Sequence, residues 1–165
     1  CYDIRDLGKQ LQPVGMLVVL DSVFNRIIRN RKLGKSTWVY IDEIYLLFQH
    51  EYSANFLFTL WKRVRKYGAC CTGLTQNVDD LLQSHTARTM LANSEFLVML
   101  NQAATDRAEL AKLLNISDNQ LSYITNVDSG RGLIKCGSAI VPFMNSFPRN
   151  KLYQLMTTRP SEITS

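Results

Sequence analysis

Residues 37–76 read TWVYIDEIYLLFQHEYSANFLFTLWKRVRKYGACCTGLTQ. Two short runs of β-branched and aromatic or small apolar residues flank one amphipathic segment, and each run ends at a polar group. Thr37 to Ile41 is too short for a helix and suits a buried strand. In Ser53 to Tyr67, Leu57, Leu60, Trp61 and Val64 fall at i, i+3, i+4 and i+7, an apolar helix face. Lys62, Arg63, Arg65 and Lys66 crowd the opposite side. Gly68 closes this helix, and ACCTGLT (69–75) forms a second buried strand ending at Gln76. The crossover from Ile41 to Ala69 is long enough to hold its helix, which a parallel pair requires.

The flanking sequence extends the alternation. Cys1 to Leu7 reads as a short strand. After Pro13 a helix runs to Lys32, with Arg26, Arg29, Arg31 and Lys32 at the negative end of its dipole, and Gly34 stops it. Asn77 with Asp79 and Asp80 reads as a helix cap and an acidic first turn. Ser94 to Gln102 is a third strand. Thr105 to Asn115 is a helix burying Leu110, Leu113 and Leu114, and Ser117 with Gln120 has capping-box spacing. Residues 131–143 pair two strands across Cys136-Gly137-Ser138, a hairpin signal. Strands alternating with helices predict an α/β domain with a mainly parallel sheet.

With 165 residues the chain suits one domain, residues 1–156, followed by a polar tail, 157–165. Nineteen Lys and Arg against 14 acidic residues give a net charge of +5. That mild excess permits nucleic acid or an anionic membrane surface without demanding either. The four cysteines, Cys1, Cys70, Cys71 and Cys136, lack metal-ligand spacing and point to a reducing compartment. Cys70 and Cys71 read as small buried hydrophobes. His50 and His85 stand apart from them, and the aromatics Phe56, Phe58, Trp61 and Tyr67 read as core. No apolar run is long enough to span a bilayer. The chain opens without a methionine, as expected of a piece of a larger protein.

Asp42 and Glu43 are the chemical focus. Two adjacent carboxylates in apolar surroundings cost free energy unless a partner compensates them. In open parallel sheets ligands bind beyond the carboxyl ends of the strands, where Asp42, Glu43 and Gln76 would share a crevice. An apolar strand ending in Asp-Glu is the Walker B pattern: Asp42 holds Mg²⁺ through water and Glu43 polarises the attacking water. Gln76 can orient that water or sense the terminal phosphate. An isolated Asp-Glu more often begins a polar turn. The combination of strand plus Asp-Glu, amphipathic helix, and strand plus Thr-Gln favours the functional reading. LGKST (33–37) is no phosphate loop, because Arg29 stands where the first glycine is needed and the stretch leads into a strand.

WVYIDEIYLLF, WKRVRKYGA and TGLTQNVDDLL together resemble the C-terminal ATPase domain of the conjugation ATPases of type IV secretion systems. These form the TraC/TraE class or VirB-four family, here most like members from Gram-positive mobile elements, and the resemblance covers nearly the whole chain. It implies a RecA-like P-loop NTPase fold lacking its Walker A segment, with helices on both sheet faces and a C-terminal β-hairpin. It also implies an Mg²⁺-dependent ATPase that energises channel assembly and transfer of DNA or protein. The fragment alone would be inactive. Carried over by position, Asp42 and Glu43 match the Walker B pair, Gln76 the glutamine of the next motif, and Arg65-Lys66 the basic pair that follows, for which the family admits a role across a subunit interface; the residues by themselves read equally as a solvated helix face. Implied partners are further copies of the chain, with a hexamer among the options, other secretion components and DNA. The implied location is cytoplasmic, at the inner face of the membrane through those partners. Two other readings stay open: a DNA-pumping translocase of the FtsK/HerA kind, and a non-catalytic module of the same fold.

Overall fold

In the computed structural model, which describes residues 2, 7–8, 10–76 and 78–157, helix α1 spans Gln12–Lys32. Pro13 sits in its first turn, where its missing N–H costs nothing, and Arg29, Arg31 and Lys32 occupy its last. Gly34 then takes φ +68°, and the chain turns into β1 (Thr37–Ile41). The expected strand at Cys1–Leu7 falls largely outside the described residues. The cap at Asn77 and residues 158–165 lie outside them altogether.

Two compact units divide the chain, residues 1–94 and 95–165. In the first, β1 pairs in parallel with β2 (Ala69–Gly73), from Thr37↔Ala69 to Ile41↔Gly73. A 3-10 turn, Ile44–Phe48, follows β1, and α2 covers Glu51–Arg63 with a 3-10 extension, Val64–Tyr67. The helix expected over Ser53–Tyr67 is thus present in two segments. Ser53, buried at the start of α2, donates its hydroxyl to the Leu47 carbonyl at 2.6 Å and approaches the His50 carbonyl at 3.0 Å.

α2 packs two ways. Leu57 joins Ile44, Leu81, Ala87 and Met90, with Phe58 and Trp61 against them. Leu60 and Val64 join Ile27 of α1 and Ala69 of β2, with Val39, Tyr67 and Cys71 alongside. The second half of that first cluster comes from α3 (Val78–Gln83) and α4 (His85–Ala92). The strands are not buried on both faces, as their composition suggested. Side chains alternate across a pleat, so Val39 and Ala69 face the helices. Trp38 and Tyr40 stand 65% and 67% exposed, and Cys70 is exposed beside them.

The second unit contains β3 (Phe96–Met99), α5 (Ala104–Leu114), the short α6 (Asp118–Leu121), β4 (Arg131–Cys136), β5 (Ala139–Met144) and α7 (Lys151–Met156). β3, β4 and β5 form an antiparallel sheet in that order. The parallel part of the α/β fold is the β1–β2 pair, whereas the third expected strand joins the hairpin. Gly132 makes that pairing possible, because a Cβ there would strike the Met99 carbonyl oxygen. Asn115 ends α5 in the left-handed region, and Ser117 with Gln120 forms the expected capping box. Among the described residues, Leu110, Leu114, Ile116, Ile124, Leu133 and Met99 are the buried apolar side chains of this unit.

Candidate functional site at the carboxyl ends of the parallel strands

β1 and β2 finish in register, Ile41 opposite Gly73. Beyond that point the backbones stay joined: Leu74 N–H donates to the Ile41 carbonyl at 2.8 Å, and Ile44 N–H to the Leu74 carbonyl at 2.9 Å. Asp42 and Glu43 form the turn enclosed by these bonds. Gly73 allows the close approach, since a Cβ there would run into the Ile44 side chain.

The turn presents the two carboxylates differently. Asp42 is exposed, and its Oδ1 accepts the Glu43 N–H at 3.0 Å. Glu43 takes φ 48° and ψ 49°, a left-handed conformation that costs a residue with a Cβ about 1–2 kcal/mol. Its Oε2 is buried and has no hydrogen-bond partner among the described residues. An orphaned buried acceptor is expensive, and strain of this kind concentrates at functional positions. The donor set fits a cation held with the help of phosphates and water rather than a protein cage. Among the described residues no three His, Cys, Asp or Glu side chains gather as a metal site, and octahedral Mg²⁺ characteristically takes one or two carboxylates.

Gln76 lies exposed three residues past the end of β2, at the same edge as Asp42 and Glu43. Arg65 and Lys66 do not join this group. They lie exposed in the 3-10 turn that precedes β2, at the strand-start end of the pair. Five residues of parallel strand separate the two edges, about 16 Å at the rise of a strand. Two features escaped sequence reasoning. The left-handed Glu43 has no composition signal. The other is a groove beside α2, lined by Phe24, Tyr52, Asn55, Phe56, Thr59, Leu60 and Arg63, whose only signal is a second stripe at helical spacing in that helix.

Burial, and secondarily the neighbouring Cys70, push the Cys71 thiol up to about 11, so it serves packing rather than nucleophilic chemistry. No helix of the described residues is long and apolar enough to cross a membrane.

Comparison with known proteins follows the same lines. The family model of the TraG P-loop domain matches residues 3–134. The solved structure of VirB4 of Thermoanaerobacter pseudethanolicus superposes with a TM-score of 0.76 at 25% identity, covering 87% of this chain and 39% of that one. The chain therefore spans well under half the length of that relative. Comparison with curated proteins finds no match.

Proposed function

The chain belongs to the TraG P-loop domain family, and from that membership we propose that it supplies the carboxylate half of an ATP-hydrolysing site. The whole protein would be a conjugative-transfer ATPase of the type IV secretion class. It would act as an oligomer with other secretion components, on DNA or protein cargo, at the cytoplasmic face of the membrane. One observation carries the reading: a buried, unpartnered Glu43 oxygen is held in a left-handed turn beside exposed Asp42. A polar turn would gain nothing from either cost. VirB4 is among the solved structures it resembles.

On this reading Asp42 would hold Mg²⁺, which would supply positive charge to neutralise the phosphates. Glu43 accepts a proton from the attacking water, a role suited to an acceptor with no competing donor. Gln76 can donate to the terminal phosphate and accept from the same water. Arg65 and Lys66, at the far edge from their own carboxylates, serve a neighbouring subunit's nucleotide, where an added cation stabilises transition-state charge.

The test is the full-length protein with Glu43→Gln. Amide for carboxylate keeps the size and removes the base, so ATP binding persists while turnover falls by a factor of about 10² or more. Unchanged turnover would reject the role of Glu43.

A further inference from the structure

α2 has three faces, and packing among the described residues uses two of them. Leu57 enters one cluster, Leu60 and Val64 the other. The third face carries Tyr52, Asn55, Phe56, Thr59 and Arg63, which with Phe24 of α1 border a groove of about 360 Å³. Their spacings of three, four and seven make one stripe along the helix. Tyr52 at its head is 70% exposed, and Arg63 at its foot is exposed as well.

We propose that this stripe is a two-fold docking surface for a second copy of the chain. The ends of the helix are complementary to each other: Glu51 and Tyr52 open it, Lys62 and Arg63 close it. A two-fold axis midway between Leu57 and Phe58 runs the two helices antiparallel. It sets Tyr52 of one copy against Arg63 of the other, a cation over an aromatic face, and Phe56 against Thr59. Glu51, Asn55 and Lys62 share one flank of the stripe, and antiparallel helices bring like flanks together. Glu51 of each copy then meets Lys62 of the other, at both ends of the contact. The Lys62 ammonium lies 4.0 Å from the Phe58 ring centroid in the single chain, and the contact exchanges that ring for Glu51 of the other copy. A parallel two-fold arrangement would oppose Arg63 to Arg63 and carry the Glu51 and Lys62 flanks of the two copies to opposite sides, where they could not pair. An isologous contact of this kind closes at two, and one helix face a side makes it weak and concentration-dependent.

Sedimentation equilibrium of the chain over a concentration series tests the contact, with circular dichroism confirming helix content in each variant. The expected result is a monomer–dimer equilibrium. Glu51→Lys and Lys62→Glu should each weaken it roughly tenfold by placing like charges opposite, and the double exchange should restore it. Positions 51 and 62 are three turns apart on one helix, so restoration can only arise between copies. Arg63→Glu should weaken the dimer by a similar roughly tenfold factor. A monomer at every concentration overturns the proposal. So does a dimer indifferent to these exchanges, such as one formed through the exposed Trp38–Tyr40 sheet face. The outcome is independent of ATP hydrolysis, because no residue exchanged lies at the carboxylate edge.

Discussion

Ile44 donates its backbone N–H to the carbonyl of Leu74 at 2.9 Å, one step beyond the last paired residues of β1 and β2. That bond fastens the turn bearing Asp42 and Glu43 to the segment that leads to Gln76. The relative position of the carboxylates and the amide is therefore set by main chain rather than by side-chain packing.

Gly73→Ala should loosen this fastening. The added Cβ runs into the Ile44 side chain, and overpacking of that kind costs about 1–3 kcal/mol. Urea denaturation should show the loss, and the full-length protein should lose turnover in parallel. A variant as stable as the parent would mean that Ile44 moves aside freely.

Glu43→Gly should stabilise the chain by about 1 kcal/mol, because glycine adopts the left-handed turn without a Cβ penalty. The buried unpartnered oxygen disappears with the same change. Glu43→Ala removes only the oxygen, so it should gain less. Chemical denaturation of the two variants side by side separates backbone strain from desolvation; equal stabilities would show that the turn is unstrained.

Thiol labelling should divide the cysteines by environment. Cys70 and Cys136 are exposed, whereas Cys71 is held up to about 11 from its ordinary 9.0. That shift leaves roughly a hundredfold less thiolate near neutrality, so Cys71 should label last. The same shift affects stability. A raised folded-state value contributes fully below pH 9 and is lost as pH climbs toward 11. The parent should therefore lose stability more steeply than Cys71→Ala across that window.

Leu57→Ala and Tyr52→Ala contrast two faces of one helix. Leu57 is fully buried and Tyr52 is 70% exposed. The first should cost about 2–5 kcal/mol and the second under about 0.5. A large loss at Tyr52 would make its stripe part of the fold rather than a free surface.

The elements around the site were legible because each had a local cause. Five β-branched and aromatic residues before Asp42, the apolar i, i+3, i+4 and i+7 residues of α2, and the glycines at 34 and 68 all act through nearest neighbours. Ser117 and Gln120 likewise close their capping box within one turn. The pairing of β3 was not legible, because Phe96–Met99 gives the same pattern whether its neighbour is parallel or antiparallel. Exposure of Trp38 and Tyr40 escaped for a related reason: an uninterrupted apolar strand gives no cue to which face the helices cover. α4 carries only the short sequence HTARTMLA, and α7 depends on Asn150 accepting from the Tyr153 N–H at 3.0 Å. Glu43 and Gln76 became candidates by residue type and spacing. The left-handed turn that isolates the Glu43 oxygen is a property of the closed hydrogen-bond loop, which no single residue announces.

The buried Ser53 hydroxyl has a mechanical meaning. It clasps the turn after the carboxylates, through the Leu47 carbonyl, to the first turn of α2. At its other end α2 passes directly into the turn that carries Arg65 and Lys66. The helix is thus a strut about 20 Å long with one end hitched to each edge of the parallel pair. Load applied to the basic turn travels along a ladder of main-chain bonds and arrives at the carboxylate turn without crossing a slack loop.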